Sequence, residues 1–260
     1  MFETILQLPT PWQILSDPAS IIVISIFLVL MIAEELFPGR KLPIIKFWRI
    51  KGILSFIIYF FLSSYFPLIW NGYLADYRIF DLTFLGHYWG ALVALLIYEL
   101  GVYFWHRAMH KSNLLWRVFH QMHHSAERVD TYGAFFFSPA DMIGFTFLTS
   151  LALVWIGGFT PEATIYAIYG ATFLAVIQHT NIKTPQWMGY IFQRPESHSL
   201  HHAKEVHAYN YSDLPLFDIL FGTFRNPKAF SMDTGFYDGA SSKIRKMILF
   251  KNIYNDRHSD

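Results

Sequence analysis

The stretch HRAMHKSNLLWRVFHQMHHS, His106–Ser125, carries five histidines in twenty residues. The first pair is spaced HxxxH and the last three HxxHH, and the second spacing returns in HSLHHA at His198, His201 and His202. Residues three and four apart share a face of a helix. His106 is therefore expected to point with His110, His120 with His123 and His124, and His198 with His201 and His202. The chain has 12 histidines in 260 residues, so eight in these short windows far exceeds chance placement.

A neutral imidazole is a nitrogen ligand for iron, zinc, copper or nickel. Eight such ligands are too many for one ion and suit two ions held by four or five each. His179, in IQHTN, is a plausible ninth. Haem ligation takes only one or two histidines per haem. A hydrolytic zinc site takes three protein ligands and an open position, and the chain has no HExxH. Both fit less well than a dinuclear centre. His87 and His258 stand alone and read as structural, and His207 is either a ligand or a surface residue, the latter preferred.

Other polar residues fall beside the histidines. Glu99, Tyr103, His106 and His110 lie at i, i+4, i+7 and i+11, along one helical stripe. A carboxylate in a membrane span is costly and usually functional. Glu99 is thus a candidate to take a hydrogen bond from a ligand imidazole and fix its tautomer, with helix packing as the alternative. Asp141 is a weaker candidate of the same kind. So is Asp218, whose DILFGTF context also reads as an interfacial apolar helix stopped by glycine. Asn210, in AYNYSD, either holds a metal-bound water or caps a turn.

Outward from the histidines the chain is apolar: 53% hydrophobic and 19% aromatic, with 15% charged against about 25% in soluble domains. A net charge of +1 without a basic block argues against nucleic-acid binding. The absence of cysteine removes disulfides, thiolate nucleophiles, iron–sulfur clusters and cysteine zinc sites. Spanning a bilayer as a helix takes about 20 apolar residues. Ile21–Phe37, Ile53–Leu74 and His87–Trp105 meet this, the first with Glu34 and Glu35 near its end. Ile143–Ile156 and Ala163–Ile177 are shorter, and form either two tilted crossings, the preferred reading, or a re-entrant hairpin. Residues 1–20 contain no Lys or Arg, unlike a cleaved signal, so the first run is expected to be a retained anchor.

The loop after the first span, GRKLPIIKFWRIK, carries Arg40, Lys41, Lys46, Arg49 and Lys51 and is assigned to the cytosol. Alternation then brings every histidine cluster to that same face. The expected fold is all-α: a single domain over 1–260 with about four to five membrane helices, and a cytosolic helical cap that holds a His-rich dimetal site. The aromatic TYGAFFFSP (Thr131–Pro139) either lines a lipid access route or forms an interfacial belt.

HxxxH, then HxxHH, then a distant HxxHH followed by NYSD and FDILFGTF, resembles the fatty acid hydroxylase superfamily, which includes sterol desaturases and alkylglycerol monooxygenase. The likeness runs from Tyr98 to Phe224 and is closest in YELGVYFWHRAMHKSNLLWRVFHQMHHSAE. It implies an integral membrane enzyme whose histidines hold two iron ions (Fe2+/Fe3+) on the cytosolic side. Such an enzyme uses O2 to hydroxylate or desaturate an acyl chain, ether lipid or sterol taken from the bilayer. By motif position the ligands are His106, His110, His120, His123, His124, His198, His201 and His202, with His179 as an additional one. No cytochrome b5-like module is read in the sequence, so the resemblance implies a separate ferredoxin or cytochrome b5-like electron donor. The alternative, a divalent-metal transporter or metal-storage protein, explains the ligands and the membrane. A conduit, however, needs polar groups through the depth of the bilayer, and the spans offer little besides Glu99.

Overall fold

The computed structural model describes residues 8–254, so His258 lies outside the described residues. Helix α1 (Pro11–Ser16) and helix α2 (Pro18–Leu36) each begin on a proline behind a capping side chain, Thr10 and Asp17. Proline suits that position because its missing N–H would have no helical partner there. Helix α3 (Trp48–Tyr65) ends before Pro67, which opens helix α4 (Pro67–Asp76). The expected single span Ile53–Leu74 is therefore two helices in series. Helix α5 (Gly86–Lys111) carries the first histidine pair at its far end.

Three short pieces follow: Asn113–Leu115, a wider π turn at Trp116–His120, and Gln121–His124. Helix α6 (Pro139–Ser150), capped by Ser138, runs on through a second π turn, Leu151–Ile156. Helix α7 (Pro161–Ile177), capped by Thr160, returns.

Four stretches are long and apolar enough to cross a membrane: Pro18–Leu36, Trp48–Asp76, Thr83–Lys111 and Pro139–Ile156. The 17 residues of α7 form a shorter apolar helix. It is about 25 Å long at 1.5 Å per residue, against a hydrocarbon core of about 30 Å. Many apolar side chains of these helices face outward, Val29, Ile32, Ile58 and Leu92 among them. Among the described residues there is no strand beyond two isolated bridges. The all-α membrane fold and the dense histidine clusters agree with the sequence reading.

Small residues let α5 and α7 approach closely, since packing rather than hydrophobicity joins helices in lipid. A Cβ added at Gly90 would sit 3.0 Å from that of Ala163, and one at Gly170 would sit 3.3 Å from Leu95. Glu34, an apparent flaw in the first span, is buried at its end. Its carboxylate accepts from the Thr131 N–H (2.7 Å) and hydroxyl (2.5 Å) and from the Asn181 N–H (3.0 Å). One side chain thus ties α2 both to the segment after His124 and to the segment after His179.

The remaining chain forms a cap with three short helices: α8 (Pro195–His201), α9 (Pro215–Leu220) and α10 (Ile244–Ile248). A buried ion pair, Arg194–Glu196 at 3.0 Å, pins it. Arg194 also donates to the Thr184 carbonyl, the Asn226 side chain and the Pro227 carbonyl, while Glu196 accepts from the Thr184 N–H and hydroxyl. Every polar atom of the pair that is out of water thereby has a partner, the condition for burying such charge.

Candidate metal centre

The end of α5, the two pieces around the π turn, the exit of α7 and α8 converge at one end of the bundle. They sort the histidines into two sets: His106, His110, His120, His124 and His201 in one, and His123, His179, His198 and His202 in the other. Within each set the facing nitrogens all lie within 4.8 Å of one another. All nine predicted ligands are thus brought together, with the members of each HxxHH divided between the two sets. His123 and His124 are adjacent in sequence and point to different sets, as are His201 and His202, because neighbours on a helix project about 100° apart.

In the five-histidine set the outer nitrogens are anchored. His106 Nδ1 donates to the Tyr211 carbonyl and His201 Nδ1 to the Tyr209 carbonyl, both at 2.7 Å. His110 bonds the His207 backbone. His120 Nδ1 donates to Asp141 Oδ2 at 2.9 Å, and His124 Nδ1 lies 3.1 Å from His207 Nδ1. A carbonyl only accepts, so the proton of His106 is on Nδ1 and its Nε2 carries a lone pair. The same holds for His120 against the carboxylate. Yet the two Nε2 atoms lie 2.9 Å apart. Two lone pairs at that distance repel unless a cation lies between them. Nitrogen ligands at about 2.0–2.1 Å from a metal come about that close to one another. The donor set therefore fits a bound metal ion.

The four-histidine set is built the same way around His179. Its Nδ1 donates to the Ala175 carbonyl at 2.6 Å, and its Nε2 faces those of His123 (3.0 Å) and His198 (2.8 Å). Burial pushes the His179 imidazole down to about 4. Burial, with the neighbouring imidazoles, also holds His120, His123, His124, His198, His201 and His202 well below the ordinary range. All are therefore neutral near pH 7, as metal ligation requires.

The three carbonyls that anchor the five-histidine set come from one loop, residues 207–211, in which His207, Tyr209 and Asn210 have left-handed backbones (φ 39°, 70° and 49°). That conformation is unfavourable for residues with a Cβ; Asn210 and Asp218 hold the loop in it, and Glu99 fixes the residues that follow it. Asn210 Nδ2 donates to the Ser197 and Arg225 carbonyls, and its Oδ1 accepts from the Arg225 N–H. Asp218 accepts from the N–H groups of Tyr211 and Ser212. Glu99 accepts from the Ser212 hydroxyl and the N–H groups of Asp213 and Leu214.

These contacts correct several expectations. Glu99 meets loop 212–214 and not a ligand imidazole; the carboxylate that does so is Asp141. Of the two readings of Asn210, the structure shows the backbone-holding one: its amide bonds the backbone of Ser197 and Arg225. His207, assigned to the surface, is half-buried against His124 and Trp116 (ring centroids 5.1 and 5.8 Å). Its spacing after His201 was the one available hint, whereas backbone anchors leave no mark on residue type. Phe135, Phe136 and Phe137 are buried, so Thr131–Pro139 is no lipid-facing belt. The Phe137 ring lies 4.5 Å from His123.

Several characterised proteins are similar to this chain. Ornithine lipid hydroxylase OlsE of Rhizobium tropici is 30% identical over 160 residues, 56% of this chain and 47% of that protein. Sphinganine C4-monooxygenase 1 of Arabidopsis thaliana is 24% identical over 137 residues, 51% and 53% of the two chains. Delta(7)-sterol-C5(6)-desaturase of Nicotiana tabacum is 29% identical over 174 residues, 64% and 60%. The chain spans about half the length of the curated relatives it matches first. No solved structure matches it significantly. Residues 91–223, just over half of the chain and enclosing all nine clustered histidines, match the fatty acid hydroxylase model, and the chain belongs to the fatty acid hydroxylase family.

Proposed function

We propose that this protein is a membrane-bound dinuclear iron oxygenase that hydroxylates or desaturates a lipid. The observation that carries the reading is the pair of converging, neutral imidazole sets, one of which turns lone pairs on each other at 2.9 Å. The similar proteins are named for ornithine lipid, sphinganine and sterol reactions, which supports a lipid substrate. Iron bound by the two sets would supply the oxidising power for an unactivated C–H bond, which no side chain provides.

For hydroxylation, one oxygen atom of O2 enters the C–H bond. The other leaves as water with two protons and two electrons from a separate one-electron carrier, a ferredoxin or cytochrome b5-like protein. For desaturation, two hydrogens leave the lipid and both oxygen atoms become water, with the same two electrons. The chain's own contribution is positional. The 207–211 loop and Asp141 fix tautomers and ring orientations, and Phe137 and its aromatic neighbours keep the substrate side dry. The basic loop 40–51 supports a cytosolic location for the centre.

Elemental analysis tests this reading. Detergent-purified protein made with iron supplementation is expected to hold about two irons per chain, a number set by the two ligand sets. A variant with His120, His123 and His124 changed to Ala should lose them. Lipid extracts of expressing cells should then show hydroxylated or newly unsaturated species that the variant lacks. A chain without metal, or with one zinc that the variant retains, would remove the proposal.

A further inference from the structure

A cavity of about 350 Å³ lies among α2, α3, α4, α6 and α7. Along α7 its wall runs from Thr164 to Ala175, eleven residues or about 16 Å of helix. Its inner end abuts the metal centre at two points. Ala175 lines it, and the Ala175 carbonyl is the group that holds His179 Nδ1. Phe135 and Tyr59 also line it, and their rings contact Phe137 at 6.3 and 6.1 Å. Phe137 in turn lies against His123. Two layers of aromatic rings, Phe135 with Tyr59 and then Phe137, therefore separate the cavity from the four-histidine set.

The lining contains many hydroxyls, and four of them use their protons on their own helices. Ser63 and Ser64 donate to the Phe60 carbonyl, Thr146 to Met142 and Thr149 to Phe145. Bonded in this way, threonine turns its methyl group outward, so the middle of the cavity suits hydrocarbon. Asn71 Oδ1, also in the lining, is buried without a hydrogen-bond partner. Asn71 lies on α4, at the end remote from the histidines, beside Ser64 and Thr164. The opposite side of the centre is closed by the cap: eight of the nine histidines are buried, each 6% exposed or less, and only His110 is partly open.

We infer that this cavity binds one hydrocarbon chain of a lipid with its polar end at Asn71 and its methyl end against Phe135 and Tyr59, whose rings lean on Phe137. The volume lies in the lower part of the range for small-ligand sites, in keeping with a single chain. The inference rests on the proposed oxygenase reading and extends it. A chain so held turns toward the metals a carbon about 16 Å or more from its polar end, with Phe137 between them. Oxidation then falls toward the methyl end and not beside the headgroup. Phe137 becomes the residue that sets how far along the chain it falls.

Two palmitate photoprobes, with a diazirine next to the carboxyl group or at the methyl end, test the orientation on the iron-loaded, detergent-purified full chain. The methyl-end probe should label Phe135–Phe137 and Tyr59, and the carboxyl-end probe the region of Ser64, Asn71 and Thr164. Ala171→Phe, which fills the cavity, should lose both labels while keeping its iron, and Asn71→Leu should lose carboxyl-end labelling. A reversed pattern, labelling that survives Ala171→Phe with iron retained, or labelling displaced by cholesterol but not by palmitate would overturn the inference. The two levels separate cleanly. Oxidised product with labelling outside the cavity refutes the chain site alone. Labelling as expected without iron or product refutes the oxygenase reading alone.

Discussion

Asp141 shows how much one carboxylate can do at this centre. It is fully buried in the first turn of α6, under the Ser138 cap, and accepts the hydrogen bond from His120 Nδ1. Such a partner orients the ring and raises its basicity. Asp141→Asn keeps the shape and removes the charge, so metal affinity is expected to fall by about 10–100-fold. Competition titration with a metal-chelating dye reads this directly, and unchanged affinity would show that His120 is oriented by packing alone. Asn210 acts by backbone conformation. Asn210→Ala removes three hydrogen bonds of about 1 kcal/mol each and puts a left-handed φ on a residue that pays about 1–2 kcal/mol for it. A lower melting temperature with reduced iron content is expected; wild-type values for both would mean that the loop holds itself.

At the scale of elements, the helices are positioned by a few contacts that cross long sequence distances. Gly52 on α3 faces the Tyr132 carbonyl so closely that an added Cβ would lie 2.2 Å from it. Since the obstacle is backbone, Gly52→Ala is expected to destabilise by about 1–3 kcal/mol, seen as a lower midpoint in thermal unfolding. A neutral result would show that α3 can shift away from the 131–133 turn. The cap depends on Arg194 in a similar way. Arg194→Ala leaves Glu196 buried without its partner, a loss of about 3–5 kcal/mol. Limited proteolysis should then cut within 184–230 while the membrane helices survive, and a protease-resistant cap would contradict the assignment.

For the whole molecule, metal and fold are coupled. The two imidazole sets draw on α5, the π turn, the exit of α7, and α8, so a bound ion ties together elements far apart in sequence. A ligand present at about a thousandfold over its dissociation constant stabilises by roughly 4 kcal/mol. In a chain of this size that shifts the melting temperature by roughly 10 °C. Chelation should lower the midpoint by that order while far-UV helicity at room temperature persists. An unchanged midpoint would mean that the cap is rigid without metal.

The sequence by itself determined the membrane helices, the nine histidines and their confinement to one end of the bundle. Each of those is written in local pattern: apolar length, i, i+3 and i+4 spacing, and the parity of crossings. Tertiary structure decided which histidines share a set, because that depends on how α5, α7 and α8 meet. It likewise moved Glu99 from an expected imidazole partner to a clamp on loop 212–214, and chose the backbone-holding reading of Asn210. It also brought His207 in from the surface. The roles of Glu99 and Asn210 rest largely on backbone N–H and carbonyl groups, which almost every residue possesses, and so no residue type announces them before the chain is folded.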